Sequence, residues 1–170
     1  MIKNEEIQRH TIAVLVDNES GVLARVIGLF SGRGYNIESL TVAEVDATEK
    51  LSRITIVTSG TKMIIEQIKN QLRRLVPVYK VHDLTTEGPH VSRELALVKV
   101  TATGDKRVES LRIADIFRAR AIDSTNESFV FEVVGATEKV DAFISLMAPL
   151  GLADVSRTGV VAIARGPNPI

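Results

Sequence analysis

Apolar positions in the first half of the chain switch between a period of two and a period of three to four. Ile12, Val14 and Val16 alternate with Thr11, Ala13 and Leu15, which predicts a strand over 11–16 with apolar residues on both faces. Val22, Leu23, Val26, Ile27 and Phe30 then recur at helical spacing, with Arg25 and Arg33 on the wetter side and Gly32 and Gly34 ending the helix. Residues 37–45 read as a second strand running into the charged loop 46–50. Residues 51–59 alternate again and form a third strand, paired with the second as a hairpin. Gly60 and Thr61 open a second helix, with Ile64, Ile65, Ile68, Leu72 and Leu75 as its buried stripe. Pro77 stops it, and 78–83 is a fourth strand. The order is βαββαβ.

A polar, turn-rich stretch, Thr85-Thr86-Glu87-Gly88-Pro89-His90, follows and reads as a linker. The second half then repeats the rhythm without repeating the residues. A strand is expected over 95–101 and a short helix over 108–118. A hairpin of 119–124 and 129–134 turns at Thr125-Asn126-Glu127-Ser128. Val140, Phe143, Ile144 and Met147 mark a helix face that Pro149 and Gly151 end, and a last strand over 155–164 bends near Gly159. The fold class is therefore α+β: two ferredoxin-like βαββαβ domains in tandem, each an antiparallel sheet with both helices on one face. The expected boundaries are a flexible N-terminus over 1–9, a first domain over 10–84, a linker over 85–92, a second domain over 93–166 and a loose tail over 167–170. Each unit would leave one sheet face and two edges open, and a homodimer is the simplest way to close them.

Composition narrows the function. With 170 residues, 45% apolar and 25% charged, the chain can build one large or two small cores. Its formal net charge is zero, so nothing pulls it toward nucleic acid or a membrane surface. Cysteine is absent, which removes disulfides, thiolate nucleophiles and cysteine metal sites, and suits a cytoplasmic or organelle-matrix protein. Residues 1–9 are polar and mixed in charge, unlike a signal peptide or membrane anchor. The longest apolar runs, such as 160–164, fall far short of the ~20 residues that span a bilayer.

Catalytic patterns are missing. His10, His82 and His90 stand at strand ends and in the linker without a second ligand at metal spacing, and a surface histidine is the better reading. Gly32-x-Gly34 follows a helix instead of opening one, and no G-x-x-x-x-G-K occurs. The acidic residues form no convergent pair for acid and base work. Aromatics are 4% of the chain, and the strands lack the stacking residues of an RNA-recognition domain. No metal, no cofactor, no nucleic acid and no membrane partner are expected.

The stretch that offers chemistry is Asp17-Asn18-Glu19-Ser20-Gly21-Val22-Leu23, with its echo Gly34-Tyr35-Asn36-Ile37. A strand-to-helix turn points unpaired N–H groups and the positive helix end at one spot, suited to a carboxylate. Asn18 and Asn36 each carry a donor and an acceptor, as a zwitterionic amino acid requires. The plainer alternative is that Asn18 and Ser20 cap the helix and Gly21 eases the turn.

Residues 17–42, D-N-E-S-G-V-L-A-R-V-I-G-L-F-S-G-R-G-Y-N-I-E-S-L-T-V, closely resemble the start of the small, regulatory subunits of acetolactate synthase (acetohydroxyacid synthase). The likeness continues through L-S-R-I-T-I (51–56), H-V-S-R-E-L (90–95), L-V-K-V (97–100), I-F-R-A-R-A-I-D (116–123) and S-R-T-G-V-V-A-I-A-R-G (156–166). The resemblance implies that 10–84 is an ACT domain, an amino-acid-binding and dimerising module. It implies a non-catalytic subunit of branched-chain amino acid biosynthesis that raises the activity of a large catalytic subunit. That partner would hold thiamine diphosphate, Mg²⁺ and FAD. The effector would be valine or another branched-chain amino acid. The resemblance also implies a site shared by two protomers: Asn18, Gly21 and Val22, with Leu23 beside them, from one, and Asn36, Ile37 and Ala43 from the other. The competing role is a free-standing amino-acid-sensing regulator of transcription or of another enzyme. A helix-turn-helix would support the transcriptional form, and none is visible.

Overall fold

β-Branched residues crowd the first strand, where they pack well on a pleated surface. In the computed structural model, which describes residues 6–170, that strand is β1, Gln8–Asp17. It continues into α1 (Val22–Arg33), β2 (Ser39–Asp46), β3 (Leu51–Gly60), α2 (Lys62–Arg74) and β4 (Val78–Asp83). The antiparallel sheet has the order β2-β3-β1-β4. Its register pairs Ile12 with Ile56 and Val14 with Ile54, so these four side chains share one face. That face and the stripes Val22, Val26, Phe30 from α1 and Ile65, Ile68, Leu72 from α2 form one core. Gly34 caps α1 and Gly32 lies inside it, so only the second of the two expected terminators ends the helix.

The second half supplies β5 (His90–Thr101), α3 (Gly104–Ile116), β6 (Arg120–Ser124), β7 (Ser128–Gly135), α4 (Thr137–Met147), a 3₁₀ turn (Ala148–Leu150), β8 (Leu152–Arg157) and β9 (Val161–Ala164). The sheet order is β6-β7-β5-β8, and β9 also pairs with β5. Val98, Val100, Phe129 and Phe131 pack against Ile113 of α3 and Val140, Phe143 and Met147 of α4. The tandem ferredoxin-like reading is the observed fold. α3 begins four residues before the expected 108, because Gly104 to Arg107 are already helical.

Three expectations change. Gln8 and Arg9 belong to β1, since they pair with Gly60 and Ser59, so the strand cuts into the N-terminus expected to be flexible over 1–9. Residues 1–5 of that stretch lie outside the described residues. His90 opens β5 and so lies on a strand, not in a linker reaching to 92.

The third change concerns the C-terminal segment. Instead of one bent strand over 155–164, β8 and β9 are separate, with Gly159 at φ 83° between them, a backbone that residues with a Cβ rarely adopt. The chain divides there: one compact unit runs up to Val91 and takes in Val160–Ile170, and the other is Ser92–Gly159. Within the first unit, the Val160 N–H donates to Ser39 Oγ at 2.8 Å and the Arg53 guanidinium donates to the Ala162 carbonyl at 2.7 Å. Ala13, Leu84 and Ala162 form a second small core, on which Ala164 and Ile170 pack. The sheet face away from the helices is thus partly covered by the chain's own end. Ala13 and Val57, on that face, are 1% and 2% exposed. Arg165 N–H also donates to the Pro89 carbonyl at 2.9 Å, and Ile170 is half-buried, so the segment expected to be loose is docked.

Candidate functional site

The turn after β1 runs directly into the first turn of α1. Gly21 stands at the N-cap of α1 with φ 86° and ψ −8°, and no side chain caps the helix. Asn18 and Ser20 therefore do not act as caps, which removes the plainer alternative for them. A Cβ at Gly21 would meet nothing within 4 Å, so the backbone there is open to an approaching molecule. The amides of Gly21, Leu23 and Ala24 have no hydrogen-bond partner among the described residues. The Val22 amide bonds only loosely to the Glu19 carbonyl, at 3.4 Å. Val22 is 5% exposed and Leu23 packs against the core, so these two offer backbone while their side chains hold the helix down.

The surroundings of this turn are acidic. Asp17 accepts a 2.6 Å hydrogen bond from the Tyr79 hydroxyl. That bond, with the negative charges of Asp17, Glu19 and Glu49, raises the Tyr79 pKa above its ordinary value. Such a field favours an ammonium, and the bare helix amides favour a carboxylate. The Asn18 side chain is exposed, and the backbone N–H of Asn18 donates to the Lys50 carbonyl at 2.7 Å.

The second cluster is built by different contacts. The Asn36 carbonyl accepts the Thr58 hydroxyl at 2.6 Å, and the Glu38 N–H donates to the Val57 carbonyl at 2.8 Å. Glu38 is held by Arg9 at 2.9 Å and by the Ser59 hydroxyl. The Asn36 side chain stays exposed, and Ile37 is half-buried against the core. Ala43 is exposed on the edge strand β2, paired with Arg53.

These two clusters do not meet within one chain. Asn18 follows Asp17, which pairs with Leu51, whereas Asn36 is tied to Thr58, which pairs with His10. Seven strand residues separate those two rows of the register, about 23 Å at ~3.3 Å per residue. The crossover through α1 carries the chain back to the end of the sheet from which β1 started, as a connection between parallel strands must. Ala43 lies between them, in the row of Arg53 and Leu15.

A buried ionic group went unread in the sequence. His10 is 4% exposed, not a surface histidine, and its Nδ1 lies 2.8 Å from Asp83 Oδ2. Lys69 Nζ is 2.5 Å from Glu66 and 3.9 Å from Asp83. The signal was parity: His10 lies on the face of Ile12 and Val14, and Asp83 is separated from Val81 by one residue. His82, by contrast, is at the surface and meets Glu87 Oε2 at 2.6 Å. Among the described residues, no group of three or more His, Cys, Asp or Glu is placed to hold a metal ion, and no helix is long and apolar enough to cross a membrane.

Comparison with known proteins bears on both units. Residues 93–166 match the family model described as the small subunit of acetolactate synthase, and residues 12–80 match that of the small-subunit-like ACT domain. A probable acetolactate synthase small subunit of Archaeoglobus fulgidus is 49% identical over 158 residues, covering 93% of this chain and 98% of the relative. The acetolactate synthase isozyme 3 small subunit of Escherichia coli is 47% identical over 159 residues, covering 93% and 96%. The crystal structure of the acetolactate synthase small subunit from Thermotoga maritima superposes with a TM-score of 0.84 at 40% identity, covering 95% of this chain and 99% of that one.

Proposed function

The chain belongs to the acetolactate synthase small-subunit family, and we propose from that premise that it is a non-catalytic regulatory subunit whose ACT domain senses a branched-chain amino acid. In this reading it docks on a large catalytic subunit, raises its activity, and makes it subject to feedback inhibition by valine or a close relative.

The observation that carries the reading is the ~23 Å between the Asn18–Leu23 turn and the Asn36–Ile37 segment. One small amino acid cannot touch both in one chain. Two chains related by a two-fold axis can present the turn of one against the segment of the other. Backbone amides at Gly21 and Leu23 would then take the carboxylate, Asn36 the ammonium, and Ile37 and Ala43 the branched side chain. The bare helix amides and the open space above Gly21 support the first of these contacts. A ligand at such a seam ties two protomers together, which is how it would bias a larger assembly.

Reconstitution tests this directly. Added to the catalytic subunit, the protein should raise acetolactate formation several-fold, and valine should then reduce it. An unchanged rate upon addition, with the two chains shown to associate, would exclude the role.

A further inference from the structure

The sheet face that carries β9 bears two cations with no acid between them. Arg53, Leu15 and Lys80 stand side by side on β3, β1 and β4 in one row of the register. Their side chains share the helix-free face, because the flanking Ile54, Val14 and Val81 lie in the helix-side core. Arg53 and Lys80 are two strands apart, about 10 Å, so two long side chains can converge on one group above Leu15.

A cavity of about 100 Å³ lies there, lined by both cations, by Leu15, Val45 and Ile170, and by the edge of His82. No carboxylate of the described residues lies within ion-pair distance of Arg53 or Lys80. Arg53 is half-buried and gives one N–H to the neutral Ala162 carbonyl, leaving its other donors free. Burial without a compensating anion lowers its pKa from the ordinary arginine value. His82 is already engaged by Glu87 at 2.6 Å.

The geometry points to a second ligand site: a pocket on the helix-free face of the first sheet that takes a small branched or straight aliphatic monocarboxylate lacking an amino group. The Arg53 guanidinium and the Lys80 ammonium would hold the carboxylate, and Leu15, Val45 and Ile170 the hydrocarbon. At ~10–15 Å³ of cavity volume per water, the pocket has room for several waters or a few carbons. An α-ammonium would face two cations and no Asp or Glu side chain in the lining, so this pocket should reject amino acids. It is distinct from the Gly21 turn, and does not depend on the role proposed above.

The test uses ¹⁵N-labelled full chain titrated with sodium isobutyrate, acetate, inorganic phosphate and valine at constant ionic strength. Isobutyrate should bind saturably in the millimolar range, shifting Leu15, Val45, Arg53 and the Arg53 Nε–H. Acetate, two carbons shorter, should bind roughly tenfold more weakly at ~0.8 kcal/mol per methylene. Arg53→Gln can still donate to the Ala162 carbonyl and should lose at least tenfold in affinity. Lys80→Gln, at an exposed position, should lose several-fold with the fold intact. Acetate or phosphate binding as tightly as isobutyrate would mean bare charge attraction and overturn the proposal. Displacement of bound isobutyrate by an equal concentration of valine, or wild-type isobutyrate affinity in both variants, would overturn it as well.

Discussion

The Thr58 hydroxyl donates to the Asn36 carbonyl at 2.6 Å from a side chain that is 0% exposed. A buried residue of the central hairpin thus sets the position of an exposed residue of the proposed effector site. Thr58→Val keeps the shape and removes the donor. It should cost about 1 kcal/mol of stability, the net worth of one such bond. It should also weaken valine binding several-fold by releasing the Asn36 loop. Calorimetry and urea unfolding on the same variant separate the two effects, and wild-type affinity would show that the loop holds its place without Thr58.

Gly21 admits a second test, because its φ of 86° and the open space beside it separate strain from collision. Gly21→Ala should destabilise the protein by about 1 kcal/mol through backbone strain while leaving room for a ligand. Gly21→Asp adds a like charge beside the expected carboxylate and should lower valine affinity much further. Equal valine affinity in the two variants would remove Gly21 from the site.

Asp83 is 1% exposed between His10 and Lys69. Asp83→Asn keeps the shape but removes the anion 2.8 Å from His10, while Lys69 keeps Glu66 at 2.5 Å. Removing one partner of a buried pair costs about 3–5 kcal/mol, and urea unfolding should register a loss of that size. A loss under 1 kcal/mol would mean that His10 is satisfied by contacts other than Asp83.

Glu87 supplies a pH dependence with a definite sign. Partial burial raises its pKa, but the Asp83 N–H and His82 outweigh that and leave it below the ordinary 4.5. A carboxylate depressed by folding adds stability above its unfolded pKa of 4.5, and that stability is lost as pH falls through the lower folded value. Glu87→Gln should therefore lower stability at pH 7 and flatten its fall below pH 4.5. Parallel pH–stability curves for the variant and wild type would contradict the assignment.

If valine acts by biasing a complex, linkage makes the effect mutual. Allosteric couplings are typically ~1–3 kcal/mol, or roughly 5- to 150-fold. Valine affinity should change by the same factor on binding the catalytic subunit as subunit affinity changes on binding valine. Asn36→Ala should still activate but resist inhibition; loss of both in a folded variant would make docking surface and pocket one site.

The docked C-terminal segment changes what a fragment can do. A fragment ending at Val91 lacks the residues that pack on Ala13 and Leu84. Exposing that apolar face should lower its melting temperature and increase dye binding relative to the full chain.

Element order was legible because each helix and strand displays its buried stripe in its own sequence, at 3.6 or 2 residues per repeat. The Gly21 turn was legible for a similar reason: strand, polar residues, glycine and amphipathic helix are consecutive. The family could also be recognised from the run 17–42 and its continuations. Distances across the sheet could not be read that way. The separation of Asn18 from Asn36 depends on the pairing of Asp17 with Leu51 and of His10 with Thr58, contacts between residues far apart in sequence. The docking of Val160–Ile170 on the first unit was hidden for the same reason. Residues 160–164 are apolar and strand-like in any setting, and only Ser39, Arg53 and Ala13 determine which surface they cover. Local pattern reports which side of an element avoids water. Long-range packing decides what covers it.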